Sequence, residues 1–350
     1  MPYTSRARAE VRKAMTTPRG RILVLLLSTL VLSACTLQAP CDCVGRAAQF
    51  TGPLPPPAVD GLALSTTRGA QLQGTVVALS TRRVLAFEAF IEAVAQAQVV
   101  AVGEEHYHPD IQAFELRVLQ DLVRRRPQRV ALAMEFLERD MQPAVDAYLT
   151  GANDAATFQE RIKATPEFIH YYFPLLQYAR QAHIPVLALN TPRALARRVS
   201  KEGLQAVVQS VPDAERAYLP AAFSAITPPY RAYFLQAVAT SHPLHEKQIE
   251  RFVEAAHVKD DTMAESLAAF LGRAADYTVL AIAGRFHFDY GLAIPALLQQ
   301  RRPSVAIQRV TTMTVAADEA ISLLELAQEH LADYVWFAPP RPEPRAARAQ

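Results

Sequence analysis

The chain reads as an α/β fold: a mostly parallel sheet flanked by helices, with an all-helical insertion capping the carboxyl edge of the sheet. Three observations lead there. Short apolar, β-rich runs recur at residues 99–102, 130–134, 186–189, 278–282 and 304–307, with a last one at 334–337. Segments with helical spacing separate them, such as the stripe Ile111, Phe114, Val118, Leu119, Leu122. Residues 191–272 break the rhythm and look wholly helical. Strands that alternate with helices imply parallel pairing, because each crossover must return the chain to the same end of the sheet.

The elements follow in order. Arg6, Arg8, Arg12, Lys13, Arg19 and Arg21 precede an apolar and hydroxyl run at residues 22–32. A spanning helix needs ~20 residues, so this shorter run is the core of a signal peptide covering residues 1–34. Leu32-Ser33-Ala34-Cys35 follows, and small residues before a cysteine suit a lipoprotein peptidase. Cys35 is therefore expected to carry lipid and tie an exported protein to the cell envelope. Thr36 stands where an aspartate would hint at inner-membrane retention, which points to the outer membrane of a Gram-negative bacterium. Residues 35–75, with Pro40, Pro53, Pro55, Pro56 and Pro57, read as a tether. Residues 76–338 form the folded domain, and 339–350, rich in proline and arginine, a disordered tail.

Composition removes several classes. A net charge of +2, partly owed to the two ends, gives no reason to expect nucleic-acid binding. The three cysteines are Cys35, Cys41 and Cys43, so the folded part holds no disulfide and no thiolate metal site.

Polar residues stand directly after four of the strand runs. They are Gly103-Glu104-Glu105-His106, then Glu135, then Asn190, then Gly284-Arg285-Phe286-His287. In a parallel sheet all four emerge on the carboxyl edge, where such folds place ligands. Two Gly-x-x-His turns with a carboxylate and an amide at neighbouring strand ends allow three readings. His106, His287 and Glu104 could hold a divalent metal such as Zn or Mn. His106, His287, Glu104 and Glu135 could act as acid and base without one. The histidines could also merely satisfy buried loop ends. Asp260 interrupts an apolar helical stripe (Ile249, Phe252, Val253, Ala256, Met263, Leu267, Phe270) and needs a partner. Tyr218, Tyr230 and Tyr233 with Phe223 and Phe234, and His242 and His245 beyond them, suit either core packing or a flat aromatic ligand whose iron a phenol could coordinate.

These residues resemble the ChaN family of haem-binding lipoproteins, which is similar in fold to the Tiki proteases, TraB proteins and erythromycin esterases. The resemblance rests on Gly103-Glu104-Glu105-His106, Met134-Glu135-Phe136, Tyr172-Phe173-Pro174-Leu175-Leu176 and Ala188-Leu189-Asn190-Thr191-Pro192-Arg193. Asp260-Asp261-Thr262-Met263-Ala264 and Gly291-Leu292-Ala293-Ile294-Pro295 extend it, so that it spans about residues 85–310. It departs at Ala256, where the family carries glutamine, and at Arg285-Phe286, where small residues are usual. The resemblance implies haem binding linked to iron acquisition, a homodimer enclosing two stacked haems, and a tyrosine ligand from the helical part. Tyr230 and Tyr233 are the candidates by region, with Arg193 and Arg231 as cations for the propionates. Three functions stay open: a non-catalytic haem-binding lipoprotein, a metal- or histidine-dependent hydrolase at the envelope, and an adaptor with a degenerate site.

Overall fold

The computed structural model describes residues 66–238 and 246–341, so the signal segment, Cys35, His242, His245 and most of the tail lie outside the described residues. Among the described residues there are ten strands: β1 (Thr66–Arg68), β2 (Val76–Ala78), β3 (Arg83–Leu85), β4 (Val99–Glu104), β5 (Val130–Glu138), β6 (Val186–Asn190), β7 (Thr278–Gly284), β8 (Ile307–Thr314), β9 (Ala320–Ser322) and β10 (Tyr334–Ala338). Eight form one sheet in the order β3-β2-β10-β8-β4-β7-β5-β6, and β1 pairs with β9 apart from it. From β10 to β6 every pairing is parallel, and only β2 runs antiparallel to its neighbours. The fold class is the one expected.

Both faces of the sheet are covered, which is why its strands read as continuous apolar runs rather than alternating ones. One face carries the larger side chains, including Val100, Val102, Val130, Leu132, Met134, Leu280 and Ile282. Against it pack the helices α1 (Phe87–Val94), α2 (Pro109–Arg125) and α3 (Phe173–Gln181). The other face is lined largely by alanine, at Ala101, Ala131, Ala133, Ala281 and Ala283. Such small side chains let a helix lie close.

The insertion contributes α4 (Arg193–Glu202), α5 (Pro228–Val238) and the long α6 (Glu246–Arg273), and α7 (Ile294–Arg301) follows β7. Met263, Ala264, Leu267 and Leu271 of α6 sit on the alanine face with Ile294 and Leu298 of α7. The first half of α6 meets α5 through Val253, Tyr230 and Phe234, and that cluster includes Phe286 from the turn after β7. The insertion thus roofs the carboxyl edge. Among the described residues, no helix is long and apolar enough to cross a membrane.

Three boundaries differ from the sequence reading. The tether does not extend to residue 75, because β1 and a helical turn at Gly69–Leu72 are already folded, with Leu72 wholly buried. The run at 304–307 only leads into its strand. The Ala306 carbonyl accepts from the Gln98 and Val99 amides, and β8 continues from Ile307 to Thr314. Its hydroxyl-rich part, with Thr311 and Thr312 buried, gave no apolar signal. Finally, the first tail residues pack on the domain: His108 Nε2 lies 2.9 Å from the Pro339 carbonyl, and Arg341 donates to the His106 carbonyl.

Candidate functional site

The two Gly-x-x-His turns leave adjacent strands in register, with Gly103 opposite Ala283 and Glu104 opposite Gly284. That pairing alone brings His106 over the start of the second turn. A Cβ at Gly284 would lie 2.9 Å from Cε1 of His106, closer than real carbon contacts come. Glycine is needed there to seat the imidazole.

Glu104 is buried and collects three donors. Gln112 Nε2 donates at 2.6 Å, the Tyr172 hydroxyl donates at 3.1 Å, and His106 Nδ1 pairs with the same oxygen as Tyr172. Burial opposes charge on His106, but Glu104 and Glu135 outweigh it and raise its proton affinity above the ordinary value.

Glu135 sits where the β5–β6 register breaks between Met134 and Glu138. Its Oε2 accepts from the Gly284 amide at 2.9 Å. Its Oε1 takes Lys259 Nζ at 3.2 Å and His287 Nε2 at 3.1 Å. Burial would raise its pKa, yet His287 and Lys259 hold it well below the usual carboxylate range. His287 Nδ1 lies 2.5 Å from Asp260 Oδ1, and Asp260 Oδ2 accepts the Tyr230 hydroxyl at 2.6 Å. Burial disfavours charge on His287, but Glu135 and Asp260 bring its pKa up to about 9. The ring is an imidazolium clamped at both nitrogens. Held this way the ring carries its proton at neutral pH, so in the hydrolase reading it is placed as an acid rather than as a base. Among the described residues, no group of three histidine, cysteine or acidic side chains could hold a metal ion.

The remaining strand-edge residues have structural partners. Asn190 Nδ2 donates to the Glu135 carbonyl at 3.2 Å. Glu105 accepts from the Thr314 amide at 3.2 Å and from its hydroxyl at 2.5 Å. Arg285 lies 3.5 Å from Glu105 and donates through Nε to Asp289 at 3.0 Å. Two bonded groups, Glu104 with His106 and Glu135 with His287 and Asp260, thus lie side by side across Gly284, with Asn190 bonded to the Glu135 backbone, while Glu105 and Arg285 form a separate latch beside them.

The expected haem contacts fare differently. Tyr230 is 1% exposed with its hydroxyl given to Asp260, and burial, then Asp260, push its pKa well above that of an ordinary phenol. Tyr233 stacks flat on Phe286 at 4.8 Å, also buried. An iron ligand must present an open oxygen that can lose its proton. In this structure neither tyrosine presents such an oxygen. Arg231 pairs with Glu250. Arg193 lies at the edge, its side chain 72% exposed and 3.7 Å from Glu138.

An aromatic rim, unforeseen from the sequence, borders the edge. Residues Phe168–Tyr172 form one π-helical turn, a form frequent at functional sites. The turn holds Tyr172 against Phe136, stacked at 3.7 Å, and Tyr171 against Tyr107 at 5.7 Å. Tyr107 has a left-handed backbone, φ 61°, uncommon for a bulky residue. With Ile169 it is among the most exposed large apolar side chains, at 38% and 37%. Lys259, Gln112 and Tyr172 were also passed over, although Lys259 adjoins Asp260 and Tyr172 lies in a motif already singled out.

A family model described as haem-binding uptake, Tiki superfamily, ChaN matches residues 90–298. Among solved structures, ChaN of Campylobacter jejuni with cofacially bound haem is similar. It is 18% identical with a TM-score of 0.57, covering 75% of this chain and 95% of that one. The erythromycin esterase EreC in its open conformation is 12% identical with a TM-score of 0.41, covering 65% of this chain and 72% of that one. Protein RETICULATA-RELATED 5, chloroplastic, of Arabidopsis thaliana is 24% identical over 269 residues. That alignment takes in 72% of this chain but only 35% of the plant protein.

Proposed function

Because the chain belongs to the haem-binding uptake, Tiki superfamily, ChaN family, we propose that it binds haem beside the carboxyl edge of its sheet, as an exported lipoprotein serving iron acquisition. The family match over residues 90–298 carries the reading. The surface that suits a flat apolar ligand is the rim, where Tyr107 and Ile169 are exposed and Phe136 and Tyr171 are half-buried. Arg193 lies close enough to act electrostatically on Tyr107, and its exposed guanidinium suits a propionate. A homodimer, as the resemblance implies, would cover a second face of the ligand.

Titration of the purified protein with haemin, followed at the Soret band, is expected to give a saturable shift. Tyr230→Phe leaves it unchanged, because that phenol already serves Asp260. Tyr107→Ala with Arg193→Ala weakens binding by about tenfold or more, the equivalent of ~1.4 kcal/mol. Absence of any saturable shift in the wild type rejects haem binding. A loss confined to Tyr230→Phe rejects the rim but not the ligand.

Lipid attachment is supported by residues 1–35 of the sequence. Cells fed labelled palmitate should mark the wild-type chain and not Cys35→Ala. Equal labelling of both rules the anchor out.

A further inference from the structure

Glu115 of α2 is a buried ionisable group that nothing above uses. It is wholly buried, and neither of its carboxyl oxygens has a hydrogen-bond partner. The ionisable groups that reach it are Glu104 from β4 and Tyr172 from the π-turn, and neither brings positive charge. An isolated carboxylate without partner or cation is costly in such a place, and a second carboxylate nearby makes it costlier. Glu104 is committed to its ion pair with His106 and to the donors Gln112 and Tyr172. The proton therefore resides on Glu115. Burial first, then Glu104, push its pKa well above the usual range.

The surroundings say what its loss would do. Gln112, one turn earlier on α2, and Tyr172 both donate to Glu104, so the helix and the π-turn meet at that carboxylate. The preceding residue on α2, Phe114, stacks on Trp336 at 4.7 Å. A negative charge on Glu115 would find relief only by drawing water in or by moving α2 away from Glu104. Either would loosen the Tyr172 contact and, with it, the aromatic rim.

We propose that Glu115 is a proton-holding residue that regulates the strand-edge site: while it stays neutral, α2 and the π-turn close on Glu104, and when it ionises they part and the rim loosens. The switch does not depend on what the rim binds.

Trp336 is the single tryptophan of the chain and touches α2, so its emission reports the seating of that helix. In the intact protein, its emission is expected to change reversibly as pH is raised while the fold persists by far-ultraviolet circular dichroism. Glu115→Gln should abolish the step. Glu104→Gln, which removes the neighbouring charge, should move the step to lower pH. Infrared difference spectra at neutral pH should show a protonated carboxyl band that Glu115→Gln lacks. Amide exchange over residues 168–172, compared at matched pH, should be faster in the wild type than in Glu115→Gln above the step and equal below it. A merely structural Glu115 would move none of these pH profiles. Should the glutamine variant misfold, Glu115→Met supplies the same non-ionising comparison. Identical wild-type and variant titrations, or no carboxyl band lost, overturn the proposal.

Discussion

Asp260→Ala is expected to cost ~3–5 kcal/mol of folding stability, the range for removing one partner from a buried charged pair. The carboxylate is fully buried and serves two groups at once, His287 Nδ1 and the Tyr230 hydroxyl. Its loss leaves an imidazolium short of one counter-charge and a buried phenol short of its acceptor. Against a total stability of ~5–15 kcal/mol for a typical domain, that is a large fraction. Asp260→Asn should fall between, since an amide oxygen still accepts from Tyr230 but brings no charge to the imidazole. Urea unfolding at neutral pH measures the series. A cost for alanine under ~1 kcal/mol, the size of an ordinary hydrogen bond, would show that the Asp260–His287 contact contributes little.

Alkaline destabilisation is the second large effect. His287 has a folded pKa of about 9, above the ~6.5 of an unfolded imidazole. The folded state then binds the proton more tightly. The stability it confers is fully present below pH ~6.5 and is lost as pH rises through 9. The full difference amounts to about 3 kcal/mol at ~1.4 kcal/mol per pKa unit. Glu115 also loses stability with rising pH, but from the carboxylate range upward. The contribution of His287 is therefore read as the difference between the wild type and His287→Gln between pH 6 and 10. If the two curves stay parallel across that interval, the clamp does not hold the charge assigned to it.

The parallel sheet was legible because its central strands are buried on both faces and so announce themselves as apolar runs. Strands β2 and β3 at one edge, and the β1–β9 pair, span three residues each and gave no such signal. The convergence of the two histidine turns was legible too, since each followed an apolar run and parallel strands end together. Their partners were harder. Asp260 was found because a carboxylate interrupted an apolar stripe. Glu115 interrupts another, four residues after Ile111 and four before Leu119, and the same rule applied to α2 would have found it. The rim could not be read in advance. It depends on a π-turn that rotates Tyr172 towards Glu104, and the backbone strain at Tyr107 has no signature in composition. The orientation of the insertion's tyrosines was not legible, because ring content says nothing of which way a ring points. Tyr230 and Tyr233 turn inward to Asp260 and Phe286.

The alanines beneath α6 have a consequence for how this site could diverge among relatives. Asp260 rides on a helix whose height above the sheet is set by methyl groups at Ala131, Ala133, Ala281 and Ala283. Exchanging one of them for valine would lift the helix and stretch the short contact to His287. The acidity of a buried imidazole would thereby be tuned from the hydrocarbon interior, by residues that carry no charge.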